Sequence, residues 1–175
     1  MRDKVRDNNG YTLVEMIIVI AIIAILSGMG FITVGAIKTS QATASMQKFD
    51  DELSGLEMRT KTQSPDTAIK IEQNGTNYNI FYGTYNGTTF ELPAANKTAK
   101  KPDAVLERVT IYYDSGYDSD SASAPLTDQI IQIRKSDGQV ISGFGEYKFT
   151  KYNSSDSVGR VTLNKFTGAH TYGKN

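Results

Sequence analysis

A run of apolar residues from Met16 to Ile37, headed by a single carboxylate at Glu15, constrains this chain more than any other stretch. Only Ser27 and Thr33 interrupt it with polar side chains. Roughly 22 helical residues at 1.5 Å each span about 33 Å, enough to cross the hydrocarbon core of a bilayer. An ionisable group in such a segment is expensive and marks a functional position. A secretory signal peptide also joins a basic start (Arg2, Lys4, Arg6) to an apolar run. No small-residue cleavage pattern follows Leu26, however, and apolar residues continue past Phe31. An ordinary single-pass anchor with its basic flank inside explains the run. It does not explain why Glu15 follows Gly10-Tyr11-Thr12-Leu13-Val14.

That junction, Gly10-Tyr11-Thr12-Leu13-Val14-Glu15 followed by Met, Ile, Val and Ala, resembles the processing site of the type IV pilin and pseudopilin superfamily. The resemblance covers the first 50 to 60 residues. It implies cleavage between Gly10 and Tyr11 by a prepilin peptidase on the cytoplasmic side, and N-methylation of Tyr11. It also implies an assembly role for Glu15, the fifth residue of the mature chain, as partner of a subunit N-terminus. Tyr11 stands where the family usually has Phe. The helix-kinking proline of many members, which would fall near Ile32, is missing, and the first proline is Pro65. Local melting of the helix would therefore have to use Gly28, Gly30 or Gly35.

The resemblance divides the chain into a leader at 1–10, a transmembrane and assembly half-helix at 11–37, and a soluble domain at 38–175. The last includes a second half-helix. Beyond the apolar run, Ala42, Met46, Phe49, Leu53 and Leu56 recur at helical spacing, with Lys48, Asp50, Asp51, Glu52 and Glu57 mostly off that stripe. The pattern predicts one helix from about Tyr11 to about Thr60. Gly55 is a local cost within it, and the stripe is too short for a sustained coiled coil.

After Pro65 the period becomes two. Asn74-Gly75 between alternating runs predicts a hairpin. With Asn74 and Gly75 as the loop, Gln73 faces Thr76, Ile71 faces Tyr78, Ile69 faces Ile80, and Lys70 faces Asn79. Asn86-Gly87 and Asp137-Gly138 signal further turns, and Val105 to Tyr113 reads as one strand. The chain closes with a strand from Gly159 to Lys165 and a turn at Phe166-Thr-Gly-Ala169. This ending, with the Ile-Lys-Ile and Gly-x-x-Tyr-x-Ile segments, is also similar to H-type (fimbrial T-like) minor pseudopilins. The expected fold is α+β and pilin-like, a long N-terminal helix whose amphipathic half packs on a C-terminal antiparallel sheet.

Catalytic signatures are missing from the sequence. Cysteine is absent, which removes Cys–His catalysis, thiolate metal sites and disulfides. The one histidine, His170, falls near an end expected to fray. No phosphate loop or dinucleotide fingerprint occurs. Asp114, Asp118 and Asp120 could offer oxygens to Ca²⁺, but not at EF-hand spacing. Lys97, Lys100 and Lys101 form a small basic cluster that reads as a solvated loop. With 19 basic and 19 acidic residues, no net charge draws the chain to nucleic acid.

The expected function is therefore structural: a pilin or minor pilin of a type IV pilus-like filament, without enzymatic activity, cofactor or metal. The expected partners are the prepilin peptidase and N-methyltransferase, other pilin subunits, the membrane assembly platform and the cytoplasmic membrane. From that membrane the subunit would pass to a filament at the cell surface. A pseudopilin of a type II secretion or DNA-uptake system shares every motif used, and a membrane-anchored surface binding module is a third reading.

Overall fold

The computed structural model describes residues 11–63, 66–122 and 124–174, with the backbone alone for 28–34. The expected leader, Gly10 included, lies outside the described residues. The chain divides into two compact units, Met1–Ile37 and Lys38–Asn175. Helix α1 (Leu13–Thr62) is unbroken through Gly28, Gly30 and Gly35. In the first unit the described side chains from Tyr11 to Ser27, and again from Gly35 to Ile37, are exposed although nearly all are apolar.

The second unit is α+β. Its helical part is followed by β1 (Thr67–Asn74), β2 (Asn77–Tyr85), β3 (Phe90–Glu91), β4 (Ala104–Leu106) and β5 (Val109–Asp114). Then come β6 (Asp128–Ile133), β7 (Val140–Ser142), β8 (Gly145–Lys151), β9 (Ser157–Leu163) and β10 (His170–Lys174). Instead of the single expected sheet, these strands form two antiparallel ones. The larger runs β3-β2-β1-β6-β7, with β4 also on β2, and the smaller runs β10-β9-β8-β5.

The helical stripe is fully buried at Ala42, Met46, Phe49, Leu53 and Leu56. Phe49 sits at its centre, its ring 5.0 Å from Tyr147 and 5.4 Å from Phe149, two alternate residues of β8. Ile69, Ile71, Tyr78 and Ile80 add the inward face of the β1–β2 hairpin to the same cluster. Two alternations of period two and one stripe of helical period thus supply a common apolar core.

The β1–β2 register differs from the one expected. Ile71 faces Ile80, Ile69 faces Tyr82, Lys70 faces Phe81, and Asn74 faces Asn77, so the loop is Gly75-Thr76. Gly75 takes φ +63°, whereas neither Asn74 nor Thr76 has positive φ. That is a two-residue turn with glycine at its first central position, which avoids forcing asparagine into the left-handed region. The shift moves each partner by two residues, so every side chain keeps its face.

The strand expected over Val105–Tyr113 is instead two strands in two sheets. Leu106 and Val109 are both buried, and the odd spacing between them breaks the alternation at Glu107-Arg108. Ser45 of α1 fixes the break: its Oγ donates to the Glu107 carbonyl at 3.0 Å and accepts the Glu107 N–H at 2.8 Å. Arg108 then turns with φ +49°, its N–H bonded to Asn77 Oδ1 at 3.0 Å.

The chain end is also more ordered than expected. His170 opens β10, paired with Leu163 of β9, and its Nε2 lies 3.2 Å from Ser54 Oγ on α1.

Candidate processing and assembly site

The start of α1 is built by four residues. Thr12 precedes the first helical residue, Leu13, and Glu15 falls in the first turn. Glu15 Oε2 accepts the Thr12 backbone N–H at 2.8 Å and the Thr12 hydroxyl at 3.0 Å. In return, the Glu15 N–H donates to Thr12 Oγ1 at 3.2 Å. This reciprocal pair is a capping box, which satisfies two amides that a helix start leaves without partners. The acidic group also complements the positive end of the helix dipole. The expectation that Glu15 serves assembly did not include this local role. The signal was present in Thr-x-x-Glu ahead of an apolar run.

Tyr11 is exposed just outside the helix. Gly10, the other half of the expected cleavage site, lies outside the described residues. Glu15 and Tyr11 are thus held at an exposed helix start, and Glu15 is bonded to Thr12. The apolar run that follows presents Val14, Met16, Ile17, Ile18 and Ile20 to the surroundings. Among the described residues no helix is long and apolar enough to cross a membrane. Part of the expected 11–37 span, residues 28–34, has no described side chains.

Ser54 Oγ and Asp50 Oδ1 approach His170, at 3.2 and 3.6 Å, and both face the same ring nitrogen, Nε2. A Ser-His-Asp relay needs nucleophile and carboxylate on opposite nitrogens, so this trio is not arranged as one. Among the described residues no three His, Asp or Glu side chains converge on a metal position. The aspartates of the 114–125 loop are held by protein groups. Asp114 Oδ2 accepts the Asp118 N–H at 3.0 Å, and Asp118 accepts the Ser121 hydroxyl. Asp120 is bonded to Arg160 and Lys148, and these two cations hold its carboxyl below the usual range. Arg160 also reaches Glu146 at 3.1 Å, and Glu146 accepts the Ser119 N–H at 3.1 Å, which ties this loop to β8 and β9.

The prokaryotic N-terminal methylation motif matches residues 5–31 of the chain. It is the signature of type IV pilins and pseudopilins, and supports a type IV pilin-like or pseudopilin subunit of prepilin type. The motif indicates a prepilin-type, membrane-anchored protein, and implies processing by a prepilin peptidase and assembly with other pilin subunits. No curated protein and no solved structure matches the chain. The expected likeness to H-type minor pseudopilins is not shown.

Proposed function

We propose that this chain is a structural subunit, a pilin or minor pilin, of a type IV pilus-like filament. The observation that carries the reading is the methylation motif at 5–31, whose apolar side chains from Leu13 to Leu26 are exposed on α1. Such a surface is stable in lipid or among other apolar helices, but not alone in water. Prepilin peptidase cuts between Gly10 and Tyr11 and the Tyr11 amine is methylated. Residues 11–37 hold the subunit in the cytoplasmic membrane by a single pass, then join the filament core. Residues 38–175 form the exposed domain, in which the amphipathic part of α1 packs on the sheets as in pilins.

Glu15 is the assembly charge in this reading. Cleavage creates an amine at Tyr11, and a carboxylate and an ammonium can compensate one another where water is scarce. The carboxylate then exchanges its Thr12 bonds for that cation. Mass spectrometry of the protein from its native membrane tests the processing step. The expected chain starts at Tyr11 with one added methyl group, and Gly10→Val blocks the cut. A mature chain starting near Gly28, or an intact Met1, contradicts the proposal.

The same motif favours a second reading, a pseudopilin of a secretion or DNA-uptake machine. Imaging of sheared surface fibres with an antibody to residues 38–175 separates the two. Long fibres decorated along their length support the pilin, and label confined to the membrane supports the pseudopilin.

A further inference from the structure

A cavity of about 320 Å³ opens between the last turns of α1 and the β2–β3 edge. Among its lining residues is Arg59, whose guanidinium carbon lies 4.0 Å above the centroid of the Tyr82 ring. Tyr82 is itself fixed: its hydroxyl donates to the Glu52 carbonyl at 3.0 Å. A Cβ on Gly55 would stand 2.6 Å from that hydroxyl, so the glycine inside this helix is what lets the ring seat there. Arg59 has no carboxylate partner among the described residues, and its planar donor fork is committed to no anion. Lys97 and Glu91, also in the lining, pair at 3.3 Å. Gln63 and Thr84 bring an amide and a hydroxyl to the lining, and Leu92 and Pro93 bring apolar surface.

We propose that this cavity binds a small polyhydroxylated carboxylate, a sugar acid of the hexuronate class, with its carboxylate on Arg59. A guanidinium fork matches the two oxygens of a carboxylate, and stacking on Tyr82 holds that fork in one orientation before the ligand arrives. The hydroxyl and amide groups suit sugar hydroxyls, and the apolar wall suits the C–H face of a pyranose ring. Glu91 supplies the discrimination. One negative charge is balanced by Arg59, but a dianionic phosphate would bring a second charge toward Glu91, which already occupies Lys97. Gly55, a cost to the helix, and Lys97, the first lysine of the basic cluster, both find a use here.

The test is titration of the 175-residue chain in detergent micelles with glucuronate, followed by ligand-observed NMR. A ligand of about 13 heavy atoms binding at modest efficiency gives a dissociation constant on the order of 1 mM. Glucose, acetate and inorganic phosphate are each expected to bind at least about tenfold more weakly. Arg59→Ala is expected to weaken glucuronate binding by at least about tenfold, with Arg59→Lys intermediate and Lys97→Ala a smaller loss. The Arg59→Lys and Lys97→Ala variants keep the test decisive if Arg59→Ala fails to fold. Equal binding of glucose or acetate, full binding by Arg59→Ala, or no glucuronate signal at about 10 mM overturns the assignment.

Discussion

The two halves of α1 are equally helical and differ in what covers them. From Leu13 to Leu26 the helix is apolar on all sides, and its side chains are exposed. From Ala42 to Leu56 it is apolar on one stripe only, and that stripe is fully buried. A helix with one apolar face can be satisfied by its own chain, because a sheet can cover a stripe. A helix apolar all round needs cover on every side, which one small domain does not supply. The more hydrophobic half is thus the half whose burial depends on other molecules.

The largest expected effect breaks the second half. Phe49→Ala should cost about 3–5 kcal/mol, a large share of a domain stability of about 5–15 kcal/mol. Phe49→Asp should cost more, since it leaves an unpaired charge among Phe49's former neighbours Tyr147 and Phe149. Chemical denaturation monitored by circular dichroism measures both. A chain starting at Ala36 should still unfold cooperatively in water without detergent. If it aggregates or melts without a transition, the second unit does not fold independently of the first.

Glu15 sharpens the comparison in the first half, because two roles there can be separated. Glu15→Ala removes both the capping box and the charge. Glu15→Gln keeps a side chain able to cap but loses the charge, and Thr12→Ala removes the cap and keeps the charge. If charge pairing drives assembly, Glu15→Gln should be cleaved normally yet fall at least about tenfold in sheared fibres, like Glu15→Ala. Thr12→Ala should then assemble, with a loss of about 0.5–2 kcal/mol confined to the helix start. The reverse pattern, with Glu15→Gln assembling and Thr12→Ala failing, would make the cap the working part.

The smallest expected effect concerns the 114–125 loop. Asp120 is held below its ordinary value of 3.8 mainly by its bond to Arg160, and next by Lys148. A carboxylate depressed in the folded state contributes stability above its unfolded value, and loses it as pH falls through the lower folded value. Asp120→Asn should therefore melt slightly below the parent chain at neutral pH, and the gap should close in acid below that ordinary value. The side chain is well exposed, so salt should narrow the gap as well. Scanning calorimetry at neutral and acid pH reads both effects, and a gap that grows in acid would reverse the sign argued here.

Much of the fold was legible because its signals are local. The stripe residues Ala42, Met46, Phe49, Leu53 and Leu56 are all fully buried, since helical spacing fixes which side chains share a face. The turns near Gly75, Gly87 and Gly138 occur where the sequence marks them, each with positive φ. The proposed cleavage site at Gly10 and Tyr11 is read by motif alone, as the linear segment is what a peptidase would recognise. The Thr12–Glu15 box was equally local, and could have been read from the same four residues.

By itself, then, the sequence determined the apolar run with its processing motif, the extent of the helix, the buried stripe and the presence of hairpins. These follow from the fixed periods of helix and strand and from the few residues that tolerate a turn. Tertiary structure alone decided the register at Asn74–Asn77, the division of Val105–Tyr113 between two sheets, and the seat of His170 beside Ser54. It also brought Arg59 onto Tyr82 across Gly55. Each of these depends on which distant segment fills a given space. Ser45 fixes the Glu107 break from 62 residues away, and no local period carries that information.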